Sequence, residues 1–237
     1  MLWPVGRVDV DVQPWSKTVA NFSNIAILYS AARAGVDDVP YRLFQKPQIM
    51  VHIDNGWNLT LQQRWFGALT ANGVQSSAWD VFGFSFYPFY GTAATFTNLR
   101  RSLNTLAKEY KKPIQVVETD YPAICNGQWN PIPESSEPEI GYSVGGQLIW
   151  VKKVIEIVRE IPFGLGQGVC DPAPNFCRFF LLGLLTSNPT QVHYWEPAWL
   201  NNTSLGSACN DAILFDPDYS NPVQYVGYSR PSVNMFK

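Results

Sequence analysis

The segment VFGFSFYP, Val81–Pro88, alternates a phenylalanine with a small or polar residue. Side chains of a β-strand point alternately to its two faces. Phe82, Phe84 and Phe86 therefore line one face, and Gly83, Ser85 and Tyr87 line the other. Large apolar residues turned outward, with small or polar ones turned inward, suit a barrel wall with helices outside it.

The flanking sequence fits that wall. Upstream, PQIMVHID (Pro47–Asp54) predicts a strand with Met50, His52 and Asp54 on one face, and LTLQQRWFGALT (Leu59–Thr70) predicts a helix. Downstream, Leu99, Leu103, Leu106 and Tyr110 recur at helical spacing, and Lys111, Lys112 and Pro113 mark the end of that helix. IQVVETD reads as the next strand. SVGGQLIWVKKVIEIVRE reads as a helix with Ser143 as N-cap and Leu148, Val151, Ile155 and Val158 as its buried stripe. VHYWEPAW (Val192–Trp199) is a last strand with a polar end. Strand and helix alternate and the strands are nearly all apolar, which predicts an α/β fold with a parallel sheet. Polar groups fall where strands end, at Asp54, Tyr87, Glu118 and Glu196, and in a β/α barrel that end is the catalytic face. The Gly-rich phosphate turn of a doubly wound nucleotide-binding sheet is not seen.

Composition narrows the function classes. The 237 residues are enough for a single domain with a substantial core, and the chain is read as one domain, residues 1–237. The net charge is −2 and only 15% of residues are charged, without a basic block for nucleic acid or a basic amphipathic helix for a membrane surface. No apolar run approaches a membrane span of about 20 residues. Aromatic residues make up 14% of the chain, consistent with an ordinary core or with a groove that stacks on sugar rings. The four cysteines, Cys125, Cys170, Cys177 and Cys209, and the sequons at Asn21, Asn58, Asn201 and Asn202 fit a secreted protein, although the start MLWPVGRVDV is not a signal peptide.

The chemistry centres on Glu118. A carboxylate at the C-terminal end of a strand, among Tyr and Trp, is most consistent with glycoside hydrolysis, which needs two carboxyl groups flanking the scissile bond. Asp54 and Glu196 are the candidates for the second, and spacing alone does not choose between them. His52 and His193 are more simply read as satisfied core residues on strands than as ligands. Neither they nor Cys170 and Cys177 have metal-ligand spacing, and a Gly-x-Ser-x-Gly elbow is missing. No cofactor is expected.

QIMVHIDNGW, DVFGFSFYPFYGTAATFTNLRRSLNTLAKEYKKPIQVVETDYP and VHYWEPAW, with LGSAC beyond it, together resemble glycoside hydrolase family 53, the endo-β-1,4-galactanases that cut the galactan backbone of type I arabinogalactan. The resemblance runs from roughly residue 22 to 215. It implies a (β/α)8 TIM barrel, of which about four β/α units, strands 5 to 8, are present, and hydrolysis with retention through a covalent galactosyl-enzyme. Glu118 falls on the nucleophile of the family. Asp54, Ser85, Tyr87 and Trp195 fall on strand ends that line its sugar site, and Cys125 and Cys209 fall on loops tied together in fungal members. The implied partner is the β-1,4-galactan of pectin, acted on by a secreted monomer.

The chain departs from the family pattern in two respects. The acid/base glutamate, in a Gly-Asn-Glu motif ending strand 4, has no counterpart, since Leu2-Trp3-Pro4 matches the segment just after it. VCDPAPNFCRFFLLGLLTSNPTQ, Val169–Gln191, splits what would be one strand. Removing it restores the family pattern, as translated intron sequence would; a genuine loop with Cys170 bridged to Cys177 is the alternative. Residues 7–20 fit no family pattern. Two further readings stay open: an inactive galactan-binding half barrel or paralogue, and a retaining glycosidase acting on another β-linked glycan.

Overall fold

A computed structural model describes residues 19–39, 46–88, 92–125, 136–166, 192–195, 197, 211–218, 220 and 226–236. In chain order the elements are α1 (Val19–Asp37), β1 (Met50–Ile53), α2 (Leu59–Ala71), β2 (Val81–Ser85), α3 (Phe96–Tyr110), β3 (Ile114–Thr119), α4 (Val144–Arg159), β4 (Val192–Tyr194), β5 (Phe215–Asp218) and β6 (Val226–Ser229). The chain forms two compact units, one from the residues up to Val51 with Thr60–Val81, the other from His52–Leu59 with the residues from Phe82 onward. The segment 169–191 lies outside the described residues.

The first unit is held by aromatic contacts. Phe22 meets Trp65 edge-on at 5.9 Å, Trp65 meets Phe66 at 4.9 Å, and Phe66 packs on the buried Trp79 at 5.4 Å. Helix α1 is fastened by Tyr29, which donates to the Ala78 carbonyl at 3.0 Å, and by Arg33, which reaches the same oxygen at 3.3 Å. Ile27 and Leu28 of α1 are exposed.

The sheet has the order β1-β2-β3-β4, with β2 to β3 and β3 to β4 parallel. Parallel neighbours joined by helices are the arrangement of a partial β/α barrel. The alternation of VFGFSFYP is realised in three dimensions. Phe82 meets Tyr110 of α3 at 5.2 Å, and Phe86 stacks on Trp150 of α4 at 4.9 Å, so the phenylalanine face is covered by helices. Phe82, Phe84 and Phe86 are fully buried.

Strand β3 breaks the simple alternation. Phe82, Gly83 and Phe84 pair with Ile114, Gln115 and Val116, but Ser85 pairs with Glu118. On the other side Val116 pairs with Val192 and Thr119 with Tyr194. Both neighbours therefore require one extra residue in β3 at Val117–Glu118, a β-bulge. Strict period two would set Glu118 on the helix-covered face with the buried Ile114 and Val116. Instead Thr119 is on that face, fully buried, its Oγ1 accepting from Trp150 Nε1 at 2.8 Å. Glu118 is turned to the opposite side.

The helices are capped at their starts, α4 by the Ser143 that the sequence predicts. Ser143 Oγ accepts from Gly146 N at 2.9 Å at the start of α4. Thr95 Oγ1 accepts from Asn98 N at 3.1 Å at the start of α3, which ends where Lys111 turns left-handed at φ 53°. In α4, Val151, Ile155 and Val158 are buried as the stripe requires, but Leu148 is only half-buried, and Gln147, Trp150, Val154 and Ile157 are buried as well. The helix is enclosed on more than one side, by β3 and by the turn Pro231–Phe236. Gln147 donates to the carbonyls of Tyr121 (3.0 Å) and Ile213 (3.1 Å) and accepts from Ser232 Oγ (2.8 Å). Arg230 grips Asp211 through two nitrogens, at 2.7 and 2.9 Å, and Asp216 at 2.6 Å, fastening the β5–β6 hairpin.

The two caps give a stability prediction. Thr95→Ala and Ser143→Ala each lower the unfolding free energy by about 1 kcal/mol, and the double variant by about 2 kcal/mol, because the caps serve separate helices. Urea denaturation followed by circular dichroism reads this as additive shifts in midpoint at constant slope.

Candidate active site

Three strands deliver the polar groups to one place. His52 comes from β1, Ser85 closes β2 with Tyr87 two residues beyond, and Glu118 comes from the bulge of β3. Ser85 Oγ donates to Glu118 Oε2 at 2.9 Å, and Tyr87 Oη donates to the same oxygen at 3.2 Å. His52 Nε2 is 2.7 Å from Ser85 Oγ, and His52 Nδ1 is 3.8 Å from Glu118 Oε1. The Glu118 side chain is 20% exposed, which leaves it partly desolvated and still open to a ligand.

Backbone ties hold the strand ends in this arrangement. Phe86 N donates to Glu118 O at 2.9 Å and Trp195 N donates to Thr119 O at 2.8 Å. The turn after β1 is drawn onto β2 by Gly56 N, which donates to Ser85 O at 2.9 Å. A Cβ on Gly56 would lie 2.6 Å from Phe84 Cβ, so this close approach needs glycine. Asn55 enters the turn at φ 50°, a conformation asparagine tolerates.

Of the residues singled out in the sequence, Glu118, Ser85 and Tyr87 are brought into direct contact. Asp54 follows β1, is exposed, and acts on His52 through its charge. Trp195 is half-buried just past β4. Glu196 and Cys209 lie outside the described residues. Cys125 is not a free thiol. Among the described residues no group of His, Cys, Asp and Glu could hold a metal ion, and no helix is long and apolar enough to cross a membrane.

His52 is the member that the sequence reading undervalued. It is not a core residue: its side chain is 31% exposed and faces Ser85 and Glu118. The available signal was period two in β1, which sets His52 on the same face as Asp54. Burial pushes the pKa of His52 down, and the charges of Glu118 and Asp54 only partly offset this.

Chemically, two hydroxyl donors on one carboxylate oxygen fix the plane of the group. An oriented carboxylate, half-open to solvent and flanked by aromatic strand ends, can attack an electrophilic carbon or steady a developing positive charge.

Comparison with known proteins bears on which of these it does. Residues 1–224 match the model of Glycosyl hydrolase family 53. An arabinogalactan endo-beta-1,4-galactanase of Humicola insolens is 35% identical over 222 residues, covering 92% of this chain and 54% of that protein. A protein of the same description from Thermothelomyces thermophilus is 34% identical over 216 residues, covering 91% and 53%. A fungal beta-1,4-galactanase structure superposes with a TM-score of 0.69 at 32% identity, covering 100% of this chain and 57% of that one. The family 53 catalytic domain of Ignisphaera aggregans gives a TM-score of 0.62 at 21% identity, covering 92% and 53%, and bears on the fold alone. The chain spans about half the length of the curated relatives it matches.

The depressed pKa of His52 has a sign that can be measured. Above about pH 6.5 the ring is neutral both folded and unfolded, and it carries no penalty. Below that value the unfolded chain takes up the proton first, so stability is lost as pH falls towards the folded pKa. An NMR titration gives His52 a midpoint below 6.5. Between about pH 7 and pH 5, His52→Gln loses less unfolding free energy than the wild type.

Proposed function

The chain belongs to glycosyl hydrolase family 53, and from that premise we propose that Glu118 is the nucleophile of a retaining endo-β-1,4-galactanase. The observation that carries the reading is the paired donation of Ser85 and Tyr87 to Glu118 Oε2, at 2.9 and 3.2 Å. An ionised carboxylate held in a fixed plane at a strand end is what the first step needs. Its free oxygen lone pair forms a bond to the anomeric carbon while the galactosyl oxygen leaves with the electrons of the broken C–O bond. Water then attacks the galactosyl ester at the same carbon and releases the carboxylate.

The leaving oxygen needs a proton, and the step that supplies it is worth about 10²–10⁴-fold. The family resemblance assigns this to a glutamate at the end of the fourth barrel strand, in the part of the relatives that the chain does not span. Asp54 and Glu196 are the other strand-end carboxylates of this sequence. Asp54, Ser85, Tyr87 and Trp195 are proposed to line the sugar site. The substrate is β-1,4-galactan, met outside the cell by a secreted monomer with a Cys125–Cys209 disulfide. The sequons support that setting, and Cys125 is not a free thiol.

An activated donor separates the nucleophile from the missing proton. With a 2-deoxy-2-fluoro-galactosyl donor carrying a dinitrophenolate leaving group, the wild-type chain gains the mass of one fluoro-sugar. Peptide mapping places that mass on Glu118, and Glu118→Gln gains none. On galactan itself, binding with no reducing ends released, in wild type and Glu118→Gln alike, would assign the chain to galactan binding instead.

A further inference from the structure

We propose that His52 is a positioning residue for Glu118, acting through the Ser85 hydroxyl, and that this relay reserves Oε1 for the attack on the anomeric carbon. The inference rests on the reading of Glu118 as the nucleophile.

The argument is an accounting of protons. A serine hydroxyl has one proton to give, and an ionised carboxylate can only accept. Ser85 Oγ is 2.9 Å from Glu118 Oε2, so its proton goes there. The 2.7 Å contact between Ser85 Oγ and His52 Nε2 is then satisfied only if the histidine donates. The neutral ring therefore carries its proton on Nε2. The result is a directed chain across three neighbouring strands, from His52 on β1 to Ser85 on β2 to Glu118 on β3.

The same assignment decides what happens at the other oxygen. With the proton on Nε2, Nδ1 presents a lone pair towards Glu118 Oε1. The 3.8 Å separation is beyond hydrogen-bond length, and a lone pair gives Oε1 nothing to accept. Oε2, by contrast, takes the protons of both Ser85 and Tyr87. The carboxylate is thus held by Oε2 and presents Oε1. During attack, the Oε1 lone pair forms the bond to C1, the leaving group departs with the electron pair of the bond it loses, and Oε2 keeps both donors. The relay does not depend on side-chain rotamers alone, because Gly56 N ties the turn after β1 to the Ser85 carbonyl at 2.9 Å.

Two measurements on the full chain test this. In the first, nitrogen NMR of histidine-labelled wild type near neutral pH is expected to show His52 protonated on Nε2 and bare on Nδ1. The opposite tautomer overturns the proposal. In the second, the activated fluoro-galactosyl donor measures Glu118 labelling. His52→Ala and Ser85→Ala each slow labelling roughly tenfold, the size expected for one hydrogen bond, and the double variant is no slower than either. Donor affinity stays unchanged in His52→Ala. His52→Gln, whose amide can donate to Ser85, regains most of the rate, which a merely structural histidine would not require. Labelling of His52→Ala at the wild-type rate, or no recovery in His52→Gln, overturns the proposal. If the wild type takes no label, the reading of Glu118 falls and the proposal with it, while the tautomer still reports on the His52–Ser85 link.

Discussion

The carboxylate at position 118 faces where it does because β3 has one more residue than its neighbours need. Both β2 and β4 pair with β3 in phase up to Val116 and again out of phase beyond it. That single insertion separates two jobs that strict alternation would have given to the wrong side chains. Thr119 is taken into the helix-covered layer, where its hydroxyl meets an indole, and Glu118 is turned to the face that carries Ser85 and Tyr87. Bulges cluster beside active sites for this reason: they re-aim one side chain without rebuilding the sheet.

The bulge, on an inner strand of the sheet, is backed by closely packed aromatic rings. Phe86, Phe96, Tyr121 and Trp150 stack at 4.7 to 5.3 Å beneath it. Gln147 ties α4 to two other stretches of backbone, at Tyr121 and at Ala212 and Ile213, and Tyr121 Oη is bonded to the Ile140 carbonyl. Donors fixed in advance cost nothing to reorganise when charge moves, which is the main way a protein lowers such a barrier. The position of Ser85 and Tyr87 on one strand, two residues apart, is the simplest way to aim two hydroxyls at one oxygen.

Much of this was legible in the sequence, and the limits have physical causes. The phenylalanine face of VFGFSFYP, the cap at Ser143 and the end of α3 near Pro113 all follow from local periodicity and local hydrogen bonding, which sequence records directly. Strand lengths were overread: Pro47–Asp54 shrinks to Met50–Ile53, and Val81–Pro88 to Val81–Ser85, because apolar character continues past the last ladder bond. The bulge had no signature, since one extra residue in an apolar run looks like any other. His52 was discounted because a strand histidine is usually inert, and its role depends on Ser85, 33 residues away. Gln147 was hidden for a related reason: a polar residue in a helix reads as surface until five carbonyl and hydroxyl partners close over it.

The bond from Trp150 to Thr119 reaches further than its size suggests. No substrate can touch that indole, which is fully buried on the helix side of the sheet. Yet it holds the residue next to the Glu118 carboxylate in the phase that the bulge created. Drift in the hidden aromatic layer would therefore be felt as a change in chemistry, and a survey confined to residues lining the cleft would look for its cause in the wrong place.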